Sequence, residues 1–406
     1  MVKKLLARAT MVMLGGVALW GCGERAPLQA PSVEVSDSAG VRFVHVPPLA
    51  DFSLPEWRTR TLYSTRNIGG EELELFRVVD ALFLPDSSLV LANSGSSELL
   101  IIDPEGRSVR RVGREGDGPG EFRRLTRLLP AAGGGFYAFD WRLSLFDDSG
   151  QFVRTRRLDP ENRVVSVVPL AVLEDGRVVA VLGEQRIFQS EGVRRDTVPL
   201  MVFVPDRPTP DTLGIWLGLE RAFERIPSGA LLVPIGFSRT VYSASNGVSV
   251  VVGATDSLDL TVYTGGARPG LRLVAPPPSQ VPTDEDVSNW RDQLAEHLPR
   301  DDPSVRRAYE AAPVRDRFPG FDGLEIDSEG RIWIGEFLRP GKDERRWMVF
   351  SPSGEPLGQV RLPRAAFSKF PGRTEVLAVG PDRVALLRRT WLDEQYVEVW
   401  SFEPRE

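Results

Sequence analysis

Six times along this 406-residue chain, a turn bearing Gly, Asp or Asn opens into a short strand of β-branched, aliphatic or aromatic residues. The first three pairs are Asp86-Ser87-Ser88 before Leu89-Val90-Leu91, Gly133-Gly134-Gly135 before Phe136-Tyr137-Ala138-Phe139, and Asp175-Gly176 before Val178-Val179-Ala180-Val181. The pattern returns as Asn246-Gly247 before Val248-Ser249-Val250, Glu329-Gly330 before Ile332-Trp333-Ile334, and Pro381-Asp382 before Val384-Ala385-Leu386. Gly, Asn and Asp tolerate turn backbone that other residues resist, so each pair is a hairpin signal with a mechanism.

A second apolar element follows every pair. Leu100-Ile101-Ile102 runs into Asp103-Pro104-Glu105-Gly106, Ser144-Leu145-Phe146 into Asp147-Asp148-Ser149-Gly150, and Met348-Val349-Phe350 into Ser351-Pro352-Ser353-Gly354. Looser versions lie at 201–206, 260–266 and 396–400. A chain this long exceeds what one hydrophobic core supports, so it needs domains or repeats. Six paired elements imply six units of about four strands, the unit of a β-propeller blade. The predicted fold is all-β: a six-bladed β-propeller over residues 33–406, with a small helical insertion at 276–320 between blades four and five.

The anchors Asp86, Gly134, Asp175, Asn246, Glu329 and Asp382 lie 48, 41, 71, 83 and 53 residues apart. The short intervals match known blade repeats, and the long ones carry insertions. Period alone admits seven blades; the paired elements count six. In the largest insertion Pro276-Pro277-Pro278 ends the sheet pattern, Thr283 caps a helix with Asp286 in its first turn, and Pro303 begins a second helix through Tyr309. Val287, Trp290, Leu294 and Leu298 form one stripe at helical spacing. That stripe packs on a blade flank or covers the channel mouth as a lid, and the sequence leaves both open. The last unit lacks an outer strand. Residues 41–46, after the turn Ser38-Ala39-Gly40, are expected to supply it and so hide a sheet edge.

Lys3, Lys4 and Arg8 open the chain, and residues 9–21 carry no charge. That run covers about 20 Å as a helix, short of the roughly 30 Å hydrocarbon core, so it reads as a secretory signal. Leu19-Trp20-Gly21-Cys22 resembles the lipobox of bacterial lipoproteins, although Trp20 stands where that motif usually has a small or aliphatic residue. The resemblance implies cleavage before Cys22 and a covalent lipid on its sulfur. The organisation expected is a signal peptide at 1–21, a flexible tether at 22–32 and the propeller beyond. Removing three positive charges from a net −6 leaves −9, so the lipid and not the surface would hold the protein to a membrane. Gly23 lacks the aspartate associated with inner-membrane retention, which points to the periplasmic face of the outer membrane.

The titratable inventory excludes several chemistries. Cys22 is the lone cysteine, and His45 and His297 are the two histidines. No internal disulfide, Cys/His zinc cluster or Cys–His nucleophile pair can be assembled, and an acidic chain lacks the surplus that nucleic-acid binding needs. The Gly-rich stretch 113–120 is followed by neither a Lys-Ser/Thr pair nor a helix start, so it is not read as a phosphate loop.

With these residues in view the chain resembles the six-bladed, NHL-like β-propellers common among bacterial exported lipoproteins. The motif Val112-Gly113-Arg114-Glu115-Gly116-Asp117-Gly118-Pro119-Gly120-Glu121-Phe122 matches the Gly-rich inter-blade link ending in Phe. Phe318-Pro319-Gly320-Phe321-Asp322-Gly323-Leu324-Glu325-Ile326-Asp327, leading into Gly330-Arg331-Ile332-Trp333-Ile334, matches another hallmark. Related propellers include amidating lyases with His-bound zinc and lactonases with calcium held by Glu, Asn and Asp. Two isolated histidines do not support the zinc version.

Asn93, Asp140 and Glu336 each close a repeat strand and supply the hard oxygens that calcium takes. Arg142, Arg186, Arg239, Arg339 and Arg388 lie near strand ends in several units, where guanidinium groups suit a carboxylate, sulfate or phosphorylated ligand. Trp141 and Trp333 offer stacking surface or fill space between blades. The candidate ligand-binding residues are therefore Asn93, Asp140, Arg142, Glu336 and Arg388, with no metal ligands assigned. Two readings of function follow. The first is a non-catalytic, lipid-anchored envelope propeller that binds a protein partner or a small anionic ligand. The alternative is a calcium-dependent hydrolase, lactonase- or esterase-like, with its metal in the central channel.

Overall fold

Each of the six turn–strand pairs builds the second strand of its own antiparallel sheet. A computed structural model describes residues 33–158, 167–183, 191–205, 207, 209–227, 229–265, 268–295, 302–363, 376–390, 392 and 394–404. Cys22, Arg186, His297, Leu298, the signal segment and the whole tether lie outside the described residues. Sheet one comprises Val78–Phe83, Leu89–Asn93, Glu98–Ile102 and Val109–Val112; sheet two comprises Arg127–Pro130, Phe136–Phe139, Arg142–Phe146 and Phe152–Arg157. Sheet three has five strands, Val167–Val172, Val178–Leu182, Gly192–Phe203, Asp211–Ile226 and Gly229–Pro234. Sheet four contains Val241–Ser245, Val250–Ala254, Leu258–Thr264 and Arg268–Ala275, and sheet five Gly323–Ile326, Ile332–Gly335, Glu344–Phe350 and Pro356–Pro363. Sheet six contains Val376–Val379, Arg383–Arg389 and Gln395–Glu403. The all-β expectation holds. In the fourth unit the strand begins at Val250, because Val248 sits exposed in the turn.

Local chemistry explains the hairpins. Asp103 Oδ1 accepts from the N–H groups of Glu105 and Arg107 at 3.1 and 2.9 Å, and Asp147 Oδ1 accepts from Gln151 N–H at 2.9 Å. Ser351 Oγ does the same for Ser353 and Glu355. A side-chain oxygen thus satisfies backbone donors that the ladder leaves unpaired.

Six apolar clusters each straddle two consecutive sheets. Phe122, Phe136 and Phe146 join Val90 and Leu99 between sheets one and two, while Leu129 and Leu143 meet Val172 and Val178 between two and three. Leu200 packs with Val252, Leu260 with Ile334, and Trp333 with Val384 across the next three interfaces. Leu100 and Val399 close the series between sheets one and six. The first strands also touch in a closed cycle, each meeting the first strand of the next sheet and the sixth meeting the first. Every sheet therefore buries apolar surface against the sheet on either side of it. The Phe that ends the Gly-rich link, Phe122, is fully buried, its ring 5.9 Å from that of Phe146.

The N-terminal segment departs from expectation. Val41–His45 does not complete sheet six; it pairs in parallel with Arg268–Ala275 at the outer edge of sheet four, alongside Glu34–Ser38. The outer strand of sheet six is Arg58–Ser64, antiparallel to Gln395–Glu403. Between the two strands a belt crosses sheet five, burying Leu49, Phe52 and Leu54 in one inter-sheet core and Trp57 in the next. Arg346 donates to the carbonyls of Leu49 and Phe52 at 2.6 and 2.9 Å, and Trp57 N–H donates to the Gln359 carbonyl at 2.8 Å. The belt's apolar residues can seat only across these two cores, which carries the chain past sheet five before it re-enters a ladder. Gly106 marks the closure: at φ 70°, a Cβ there would lie 2.3 Å from Tyr63 Cγ on the closing strand.

Both long intervals hold insertions. In sheet three, Gly192–Phe203 and Asp211–Ile226 pair along their length, whereas Val178–Leu182 reaches only residues 200–203 of the former. The hairpin therefore projects past the end of the sheet where the second strand finishes. Two helices, α1 (Asp284–Ala295) and α2 (Pro303–Glu310), stand between sheets four and five in sequence. Thr283 and Asp286 cap α1 reciprocally, with Thr283 N–H to Asp286 Oδ2 at 2.9 Å and Asp286 N–H to Thr283 Oγ1 at 3.2 Å. Trp290 and Leu294 of the predicted stripe, with Ala308 and Ala312, pack on Ala222, Val233 and Ile235 of the projecting strands. The helices thus dock on this hairpin.

Candidate functional site

Antiparallel pairing puts the finish of each second strand beside the start of the first, so Asn93, Asp140, Glu336 and Arg388 all lie at one end of their sheets. Arg239, before the first strand of sheet four, joins them. The sequence placed these residues at a common end; the structure gives each a local task.

Asn93 is buried, with Oδ1 accepting from Phe76 N–H at 2.8 Å and Nδ2 donating to Glu98 Oε1 at 3.2 Å. Asp140 Oδ1 accepts from the N–H groups of Trp141 and Arg142 at 2.7 and 2.9 Å, and its Oδ2 meets Arg142 Nη2 at 3.2 Å. Arg142 also donates to the carbonyls of Asp117 and Glu121 at 2.8 and 3.0 Å, clamping the Gly-rich link from below. Glu336 accepts from Arg346 Nε at 2.8 Å, and Arg388 Nε lies 3.5 Å from Glu398. Arg239 sits 3.8 Å from Asp256, and Arg339 donates to Gln280 and covers the Phe318 ring at 4.8 Å.

Asn93 Oδ1, both Asp140 oxygens and Glu336 Oε2 thus have partners close by in the structure. Among the described residues no group of three or more His, Cys, Asp or Glu side chains is positioned to hold a metal. His45 is exposed on its strand. Trp333 offers no stacking surface: it is fully buried, its ring 4.8 Å from Phe402 and its Nε1 donating to Asp327 Oδ2 at 3.0 Å. Trp141 is the exposed tryptophan of the two.

Two features of this end are invisible in the strand pattern. One is a cleft of about 570 Å³ at sheet five, formed by the loop 336–344 and the strands that flank it. Arg339, Lys342, Arg345, Arg346 and Arg361 line it, against Glu336, Asp343 and Glu344, with Phe337 and Leu338 as its apolar wall. Arg345 is tied to Asp322, by 2.8 Å to the carbonyl and 2.9 Å to Oδ2, and Asp322 Oδ1 accepts from Tyr242 on sheet four at 2.7 Å. Burial and the neighbouring Asp322 carboxylate hold the Tyr242 hydroxyl well above the usual phenol range. Tyr242 therefore stays a neutral donor. Phe337 packs with Phe318 and Phe237, and Phe237 with Trp290 of α1, so the helices brace the cleft's apolar wall.

The other is Asp80, an acid inside the apolar first strand of sheet one. Its Oδ2 accepts from Leu128 N–H on sheet two at 2.8 Å and lies 3.7 Å from Arg127 Nε. Burial between the inner strands raises its pKa; Arg127 and the N–H groups of Leu128 and Ala81 oppose that rise without cancelling it. A carboxyl whose folded pKa is raised stabilises the fold below its unfolded value and loses that contribution as pH rises through the folded value. The stability difference between wild type and Asp80→Asn is therefore expected to shift against wild type as pH climbs out of the ordinary carboxylate range. Urea unfolding of both proteins across that range checks this, and a difference independent of pH would contradict it.

No family model matches the chain, and a comparison with curated proteins finds no match. Solved structures do align along most of its length. A protein described as exported, from Bacteroides fragilis, is 12% identical, covers 90% of this chain and 100% of its own, and gives a TM-score of 0.45. Regucalcin, a calcium-binding protein from Agrobacterium tumefaciens, is 12% identical over 87% of this chain and 97% of its own, with a TM-score of 0.39. Virginiamycin B lyase from Staphylococcus aureus is 8% identical over 85% and 99%, with a TM-score of 0.38.

Proposed function

We propose that this chain is a six-bladed β-propeller of the bacterial cell envelope, lipid-anchored through Cys22, that binds an anionic ligand without transforming it. Six sheets with first strands touching in a closed cycle support the blade number, and the Leu19-Trp20-Gly21-Cys22 segment supports the anchor.

The observation that carries the binding assignment is the cleft at sheet five, where five cationic side chains face three acids. Arg345 and Arg346 are locked by hydrogen bonds to Asp322, Glu336 and the Phe52 carbonyl and form the rigid part of its wall. Lys342 and Arg361 are exposed at the rim, the first without a carboxylate partner among the described residues and the second loosely paired with Glu56 at 3.4 Å. Fixed guanidinium groups beside adaptable ones suit carboxylate or phosphate oxygens, and the volume suits a ligand of small-molecule size.

Calorimetric titration of the purified domain with citrate and with inorganic phosphate tests this. Binding weakened at least about tenfold in the Lys342→Glu, Arg361→Glu double variant is the expected result. Unchanged affinity would remove the cleft from the account. Calcium-dependent turnover of a lactone, lost in Asp140→Asn or Glu336→Gln, would replace binding by the hydrolase reading.

A further inference from the structure

On the same end of the ring, sheets one and two hold large aromatic side chains out in water. Phe76, just before the first strand of sheet one, is 61% exposed, and Trp141, between the second and third strands of sheet two, is 41% exposed. Neither is loosely placed. Phe76 N–H donates to Asn93 Oδ1, and its carbonyl accepts from Gly95 N–H at 2.7 Å. The Phe76 ring lies so close over Gly95 that a Cβ there would fall 2.1 Å from Cδ1. The next residue, Arg77, is held at φ 55°, a left-handed backbone that a bulky residue adopts only under constraint. Trp141 is fixed in the same manner by Asp140, and the guanidiniums of Arg142 and Arg157 each lie 4.8 Å from its ring centroid.

Two neighbouring sheets thus each use a buried polar side chain at a second-strand end, Asn93 or Asp140, to hold an aromatic residue in solvent. The edge between them is continuous, since Ser94 Oγ donates to the Leu125 carbonyl at 2.8 Å. Displaying apolar surface forfeits burial, and rigid aromatics beside arginine have the composition of an interface hot spot.

Charge selects the partner. Arg77, Arg124 and Arg157 are exposed along this edge and pair with no carboxylate among the described residues. Arg123 pairs with Asp117, Arg142 with Asp140 and Arg114 with Glu121, so these acids are met within the surface itself. We propose that Phe76 and Trp141 anchor a docking surface for an acidic peptide segment of a partner protein. Its apolar side chains seat on the two rings, and its carboxylates meet Arg77, Arg124 and Arg157.

The test is fluorescence anisotropy with a labelled random copolymer of Glu and Tyr, compared with poly-Glu and with a copolymer of Lys and Tyr. The Glu–Tyr copolymer is expected to bind about tenfold tighter than poly-Glu, and the Lys–Tyr copolymer not to bind. Phe76→Ala and Trp141→Ala are each expected to weaken binding about tenfold at unchanged Tm, because both rings are exposed. Lys342→Glu, in the sheet-five cleft, is expected to leave this affinity as in wild type, which separates the two sites. Equal binding of poly-Glu, binding of the Lys–Tyr copolymer, or unchanged affinity in both aromatic variants would overturn the proposal. Competition by an uncharged glucan oligosaccharide would overturn it too, in favour of a carbohydrate surface.

Discussion

Asp327→Ala is expected to destabilise the fold by about 2–4 kcal/mol, the cost of leaving a part-buried cation without its main acceptor and several buried donors with none. Asp327 is fully buried in the turn that opens the second strand of sheet five. Its Oδ1 accepts from the N–H groups of Glu329 and Arg331 at 3.0 and 2.9 Å, which shapes the turn. Its Oδ2 accepts from Arg331 Nε at 2.6 Å and from Trp333 Nε1 at 3.0 Å. Arg331 then reaches the Pro381 carbonyl of sheet six at 2.5 Å and covers the Trp57 and Phe402 rings. One carboxylate therefore orders a turn, orients a core tryptophan and steadies the contact between sheets five and six. Asp327→Asn keeps an oxygen for the turn but turns an NH2 group toward Arg331 and Trp333, so it should recover only part of the loss. Urea unfolding monitored by tryptophan fluorescence measures both. A loss below about 1 kcal/mol for the alanine variant would show that the turn tolerates the vacancy.

Removing residues 33–64 is expected to abolish cooperative unfolding and to drive association of the truncated chain. The deletion takes away the outer strand of sheet six, exposing the Gln395–Glu403 ladder as a long open edge. It also strips Trp57 from Trp333 and Phe402, whose rings lie 5.8 and 5.6 Å away, and Phe52 from Phe350 at 6.2 Å. Val44, Leu49 and Leu54 leave the core between sheets four and five at the same time. Calorimetry and light scattering of the two chain lengths make the comparison. A single sharp transition in a monomeric truncated chain would mean that the N-terminal belt is ornament.

Much of the scaffold was legible because its signals are local. Gly, Asp and Asn at turns, and apolar runs after them, mark the second and third strands of every sheet, and Thr283 with Asp286 marks a helix start. The closing strand was not legible. Residues 41–46 were expected in that place, and what gives it to 58–64 is where Leu49, Phe52 and Trp57 find their cores, a fact of tertiary packing. The projecting hairpin of sheet three was likewise hidden, since a long interval between repeats announces an insertion without its form.

At the candidate site, strand position told which end Asn93, Asp140 and Glu336 occupy, but not which way their oxygens face. Asn93 and Asp140 turn toward backbone N–H groups of the neighbouring loops, so their effect appears one step away, at Phe76 and Trp141. Phe76 carried no sequence signal at all. Its exposure depends on Gly95, nineteen positions later, leaving room for its ring.

The closed cycle of six sheets rests on Arg58–Ser64 being laid into sheet six, and hydrogen-exchange mass spectrometry of the intact protein reads that strand directly. Amides of residues 59–64 are expected to exchange together with those of 395–403, as one cooperative unit protected to near the global unfolding limit. Exchange of 59–64 within seconds, while 395–403 stays protected, would mean that the cycle is open at this joint.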